Sequence, residues 1–340
     1  MKHFKSFLFS VIFLGGCLVT LAQELADNVD ARFQGIKSIS VEGVFCDVSV
    51  EPNGSGTVHL EGEIRCTRDA DDYAIKTSQS GSELKVWVEH PNNIRGNVKG
   101  FLMFQAPENV LLVVKNVSGN VKVNKIVSDG MVLESVSGDI KISGAGKDTR
   151  LQTVSGNIDA SVLNGALKAK SVSGDLRIAN IKGELSCHST SGNVAIKMVE
   201  GETGVSTTSG DLVVENLMNG ATLKSTSGSV RVNVLKGDLS AKTVSGDVTL
   251  NDITGQLNLS TISGQQRGTK IMLTGDSRFN SVSGDIEMDL DNQIDVLSFE
   301  LHSGSGNLVA GSSRADDKLI IDHGGFIIRG SSTSGNQTFR

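Results

Sequence analysis

The tripeptide Ser-Gly-Asp, often varied to Ser-Gly-Asn, returns along two thirds of this chain at a nearly fixed interval, and it constrains the fold more than any other feature. Its serines are Ser118, Ser137, Ser155, Ser173, Ser191, Ser209, Ser227, Ser245, Ser263, Ser283, Ser305 and Ser334, and the step from one to the next is identical all the way from Ser137 to Ser263. A repeat of this kind is one supersecondary unit that cannot bury its apolar face alone, so neighbouring units must stack. With 39 Gly against 3 Pro, and with Val, Ile, Thr and Ser abundant, the units suit short strands joined by tight turns. Helix is expected to be nearly absent.

Laying each unit over the next sorts the side chains into columns. Val194 aligns with Leu176, Leu212, Val230 and Val248; Ile196 with Ile178, Val214, Val232 and Leu250; Val199 with Ile181, Leu217, Leu235 and Ile253. On the other strand Cys187 aligns with Ala169, Val205, Leu223 and Ala241, while the alternate positions are polar, as at Lys168, Lys170, Arg177, His188, Lys197, Glu215 and Arg231. One face is therefore core and the other faces water.

Two strands per unit allow a closed antiparallel barrel or a stack of parallel coils. A membrane barrel needs aromatic girdles, and this chain has one Trp and one Tyr. Like residues in columns instead favour coil-on-coil stacking. The predicted fold is all-β: a single-stranded parallel β-helix, or β-solenoid, with coils of about 18 residues and a right-handed turn. About a dozen coils at ~4.8 Å make a rod on the order of 60 Å long. The expected organisation is a signal peptide over 1–22, a polar leader over 23–37, an N-terminal β cap region over 38–106, and solenoid repeats over 107–340. The cap region is expected to hold alternating strands around Val41, Leu60 and Val86, and Pro107 belongs at a strand end because it has no N–H to donate. The last steps, from Ser263 to Ser283, Ser305 and Ser334, are longer than the rest, so Gln265–Gly268 and Arg314–Asp317 are expected to bulge from the rod.

The repeated elements read as structure. In Ser-Gly-Asp the glycine is expected to supply a bend with positive φ, and Asp or Asn to pin the bend through its own backbone. A calcium ladder is disfavoured because Asp139, Asn157, Asp175, Asn193 and Asp211 alternate, so adjacent coils rarely offer two carboxylates. The inward column of Ser171, Ser189, Thr207, Ser225, Thr243 and Thr261 is expected to satisfy itself as a hydroxyl ladder. No histidine recurs beside it, and no catalytic residue is assigned. Asp69, Asp71 and Asp72 lack the spacing of a calcium loop. The six histidines, His3, His59, His90, His188, His302 and His323, show no ligand spacing, so no metal or cofactor is expected.

Lys2 and Lys5 precede an apolar run from Phe7 to Ala22, the pattern of an export signal, with cleavage expected after Ala22. Leu14-Gly15-Gly16-Cys17 is a rival site that would leave Cys17 lipid-modified. The net charge of -6 becomes -8 once Lys2 and Lys5 are removed, which argues against nucleic acid as a partner. No transmembrane segment is expected in the mature chain. Cys46 and Cys66 lie in phase with apolar neighbours and are either core thiols or one disulfide; Cys187 completes an odd count.

The run Val41-Glu-Gly-Val-Phe-Cys-Asp-Val-Ser-Val50, the Pro107 step into Asn116-Val-Ser-Gly-Asn120 and the Val-Ser-Gly-Asp repeats together resemble the bacterial putative adhesin family of β-solenoids. That family is a domain of unknown function of the DUF4097 type, related to the putative auto-transporter adhesin head (GIN) domain. The resemblance covers roughly residues 36–336. It implies an exported, non-enzymatic protein of the periplasm, outer-membrane surface or extracellular space, which contacts an envelope protein, a glycan or the cell wall. An envelope stress sensor is the alternative, and a carbohydrate-active enzyme on a β-helix is a third reading. The latter needs a cleft with converging carboxylates, and aromatic platforms are scarce here.

Overall fold

The computed structural model describes residues 23–340, all-β apart from two single-turn 3₁₀ segments, Ala70–Asp72 and Ile294–Val296. The signal segment and Cys17 lie outside the described residues. Two sheets, of 17 and 16 strands, face each other, and each coil gives one strand to each. In one unit Leu185–Ser191 lies in one sheet and Val194–Val199 in the other. Each strand pairs in parallel with its counterpart in the next coil: Cys187 lies beside Val205, Ser189 beside Thr207, and Ile196 beside Val214. The register repeats from coil to coil because every regular coil has the same length and the same inward residues.

The core is the thin space between the sheets. Leu185, Cys187 and Ser189 point in from one side, and Val194, Ile196 and Val199 from the other; all six are buried. Each buried aliphatic side chain contributes about 1.5–3 kcal/mol, and the columns repeat that contribution along the rod. Val194 and Ile196 are two apart, but Val199 follows after three. The extra residue, Met198, is held at φ 57°, and its equivalents Val162, Asn180, Asn216, Val234, Asp252 and Lys270 all lie at φ 56–59°. A left-handed residue breaks the two-residue alternation, turning the next side chain inward and bending the strand round the core. In the coil before Val162 the equivalent is Gly144 at φ 72°, but these seven residues are not glycine, so the bend carries strain in their coils.

Both ends of the stack are threaded in the same way. Ser38–Val44 pairs in parallel with both Glu83–Glu89 and Leu111–Asn116, and Cys46–Pro52 pairs with both Val98–Ala106 and Val121–Asn124. The first coil in the chain is thus second in space, and residues 38–106 supply coils as well as cap. The segment expected as polar leader forms a strand, Glu24–Gln34, antiparallel to Thr57–Cys66. At the far end Ile327–Ser334 and Gln337–Phe339 insert between the coils on either side of them in space. Short antiparallel strands, Ser313–Ala315 and Lys318–Ile321, cover the last coil. A parallel stack ends in open sheet edges that invite pairing; short strands bearing Arg314 and Lys318 blunt them.

The structure corrects the expectation for Gln265–Gly268. Gln266–Leu273 is a strand in register with Val248–Gly255, and the coil's additional length falls after it, between Leu273 and Arg278. Gln266 is wholly buried, its amide donating to Thr261 Oγ1 at 3.1 Å and to the Asn280 carbonyl at 2.6 Å. These bonds satisfy its amide nitrogen in a mostly apolar column, where Gln337 is likewise buried and donates to the His302 carbonyl at 2.7 Å. Arg314–Asp317 does leave the regular coil, as part of the end cover.

Candidate functional site

Each coil turns twice, and both turns depend on close stacking. At the Ser-Gly-Asp corner the expected positive φ is found in some coils, at 157° for Gly210 and 142° for Gly284, but not at Gly138, Gly156, Gly174 or Gly192. The expectation is corrected to that extent: what every coil shares is contact. A Cβ on Gly192 would sit 2.2 Å from the carbonyl oxygen of Gly174, and one on Gly174 would sit 2.1 Å from that of Gly156. The Asp and Asn side chains also act between coils, where a bond to their own backbone had been expected. Asp139 Oδ1 accepts from Asn157 N at 2.8 Å, Asn157 from Asp175 N at 3.0 Å, Asp175 from Asn193 N at 3.0 Å and Asn193 from Asp211 N at 3.1 Å. Alternating Asp with Asn keeps like charges from stacking at one strand spacing.

The hydroxyl column is likewise corrected. Equivalent residues lie ~4.8 Å apart, too far for an O–H···O bond near ~2.8 Å, so the hydroxyls turn to the corner glycines. Thr153 Oγ1 accepts from Gly156 N at 3.0 Å, and Thr243 Oγ1 donates to the Gly228 carbonyl at 3.2 Å. Ser171, Ser189 and Thr207 have no partner for their buried hydroxyls. Of the hydroxyl pairs in this inward column, Ser332 and Ser303 do bond one another, at 3.1 Å.

The second corner lies before the strands of the smaller sheet, and beside it runs a trough of about 1150 Å³ along the rod. One lining column, the lip, is Asp148, Ala166, Glu184, Glu202, Gly220, Asp238 and Gln256; the column two residues further along each strand, the wall, is Arg150, Lys168, Ser186, Gly204, Thr222, Ser240 and Asn258. Leu111, Val113 and Val132 make its N-terminal end apolar. From Ser186 to Ser240 the wall is small and polar, which opens the trough, and the adjoining lip is anionic. Backbone bonds such as Leu167 N to the Glu184 carbonyl and Leu185 N to the Glu202 carbonyl, both 2.9 Å, hold the lip to the next coil. These acids recur one or two coils apart, each directly before an inward residue. That spacing is present in the sequence, but Ala166, Gly220 and Gln256 interrupt the column and mask it.

The cysteines are free, which excludes the disulfide alternative in this structure. Val98–Ala106 lies between their strands, with Cys46 opposite Gly100 and Cys66 opposite Val98. Two strand spacings separate them by ~10 Å, beyond the ~7 Å that a disulfide can bridge between Cα atoms. Burial, with Asp47 adding to it, pushes the Cys46 thiol from 9.0 up to about 12, and burial alone pushes Cys187 up strongly. Both are buried core side chains. Asp69, Asp71 and Asp72 lie exposed around a 3₁₀ turn. Strand pairing does assemble one grouping that spacing could not show: His59 Nε2 lies 2.8 Å from Asp30 Oδ1 and 3.7 Å from Glu61 Oε1. The His59 nitrogen and the two carboxylate oxygens lie within 4.8 Å of one another in the N-terminal cap, with His59 hydrogen-bonded to Asp30.

The model of the Toastrack DUF4097 family matches residues 38–234 and 183–319. The chain belongs to this family. Among solved structures, the Toastrack chain is similar to a putative cell adhesion protein from Clostridium sporogenes, with 8% identity over 92% of this chain and 98% of that one and a TM-score of 0.22. A putative adhesin from Bacteroides fragilis shares 15% identity over 79% of this chain and 98% of that one, with a TM-score of 0.26. No curated protein matches in sequence.

Proposed function

We propose that this Toastrack chain is an exported, non-enzymatic protein of the cell envelope or surface, which presents a rigid β-solenoid for contact with an external protein, glycan or cell-wall component. The observation that carries the reading is the trough: a continuous surface along many coils, with small wall residues and charged groups at regular steps. Such a surface suits an extended partner, and its backbone is fixed by coil-to-coil bonds before any partner arrives. The apolar run from Phe7 to Ala22 supports export.

The trough also bears on the enzyme reading, because it brings Asp148, Glu184, Glu202 and Asp238 together with Arg150. Glycoside hydrolysis needs two carboxyl groups flanking the scissile bond. These acids share one column and so stand on one side of any bound chain, and no aromatic residue lines the trough. That arrangement favours binding.

Fractionating cells that produce the full chain tests the reading. The protein is expected in the envelope or the medium, shortened at its N-terminus, and an immobilised sample is expected to retain an envelope component. Full-length protein confined to the cytoplasm would overturn export, and hydrolysis of cell-wall glycans by the purified chain would overturn the non-enzymatic assignment.

A further inference from the structure

We propose that the trough is a docking groove for an extended polypeptide segment bearing lysine or arginine, lying along the rod axis. This rests on the surface-contact reading and narrows its partner to a protein. Charge selects the occupant. From Glu184 onward the charged lining residues are Glu184, Glu202 and Asp238, with no lysine or arginine among them. On the opposite sheet several acids are matched within the fold, Asp175 with Arg177 and Glu215 with Lys197 among them. Among the described residues, the trough acid with a basic partner is Asp129, 2.9 Å from Lys147. Glu184, Glu202 and Asp238 have none. Asp238 lends Oδ1 to Gln256 N at 3.0 Å, which leaves its Oδ2 to meet a ligand's cation alongside Glu184 and Glu202.

Spacing selects the conformation. Glu184 and Asp238 are three coils apart, about 14 Å at ~4.8 Å per coil. An extended chain advances ~3.3 Å per residue, so cations four residues apart reach both carboxylates. At the other end Arg150 and Lys168 reverse the sign of the wall, which places the segment's cations over the Glu184-to-Asp238 half. The lip's backbone groups are already bonded to the next coil, so recognition is by side chains and not by strand addition. A sugar polymer lacks a stacking surface here, since the lining contains no aromatic ring.

Fluorescence anisotropy with labelled hexalysine at low salt tests the inference, with labelled hexaglutamate as control. The wild-type chain is expected to bind hexalysine and not hexaglutamate, with affinity falling as salt is raised. The triple variant Glu184→Gln, Glu202→Gln, Asp238→Asn keeps an acceptor for Gln256 N; it is expected to bind about tenfold more weakly, while its melting curve is unchanged. Gly204→Trp is expected to lose binding by occlusion; the nearest atom to a Cβ there is 3.8 Å away, so the coil is not strained. Equal binding by wild type and both variants, or no binding to wild type, would overturn the groove. Preferential binding of a glucosamine hexamer would also overturn it, in favour of a glycan. Envelope localisation that persists in the triple variant separates the two readings: it leaves surface function standing whatever happens to hexalysine.

Discussion

The two corners of each coil are built from similar residues, yet they use their acids in different ways. At Ser-Gly-Asp, the Asp or Asn accepts the backbone N–H of the next coil, so one side-chain oxygen is committed to the scaffold at every step. At the other corner glycine also stacks on glycine, a Cβ on Gly201 lying 2.4 Å from the Gly183 carbonyl oxygen. There Glu184 and Glu202 stand exposed beside the trough with no basic partner, and of the lip acids Asp238 alone accepts the next coil's N–H. A side chain that accepts the next coil's N–H at each step is tied to the repeat, whereas Glu184 and Glu202, which make no such bond, are free to meet something else.

Substitutions can break that contrast, beginning with the corner glycines. Gly192→Ala is expected to destabilise by about 3 kcal/mol, because the new Cβ meets a backbone oxygen that only a shift of the neighbouring coil can clear; urea denaturation measures it. Val234→Gly is expected to do the reverse, stabilising by about 1 kcal/mol through relief of a left-handed φ of 58°, which a rise in melting temperature would report. Asp175→Ala removes the acceptor for Asn193 N and is expected to cost about 1 kcal/mol, with faster amide exchange at Asn193 than at Asn157. Glu202→Gln is expected to change stability by less than about 0.5 kcal/mol. A large loss there would mean that the second corner is as structural as the first.

Much of this architecture could be read from spacing. The columns headed by Val194, Ile196, Val199 and Cys187 pair in the structure as the repeat step aligned them. The left-handed bend at Met198 was implied by the wider gap before Val199, but Val and Met are poor signals for positive φ, so residue type concealed it. The end covers were not legible. Their strands are short or polar, and Glu24–Gln34 becomes a strand only because Thr57–Cys66 offers it an edge. The grouping of Asp30 with His59 and Glu61 follows from the same pairing, across a separation no local pattern encodes.

What the sequence determined by itself was the repeat: coil length, inward columns and the position of each corner, because these depend on periodicity along one chain. What the Ser-Gly-Asp element does, and where a surface is left free, was decided only by stacking. Glycine is needed there because a second coil lies against it, and Asp is used there because the next coil supplies the N–H. Glu184 and Glu202 are free because the next coil asks nothing of their side chains.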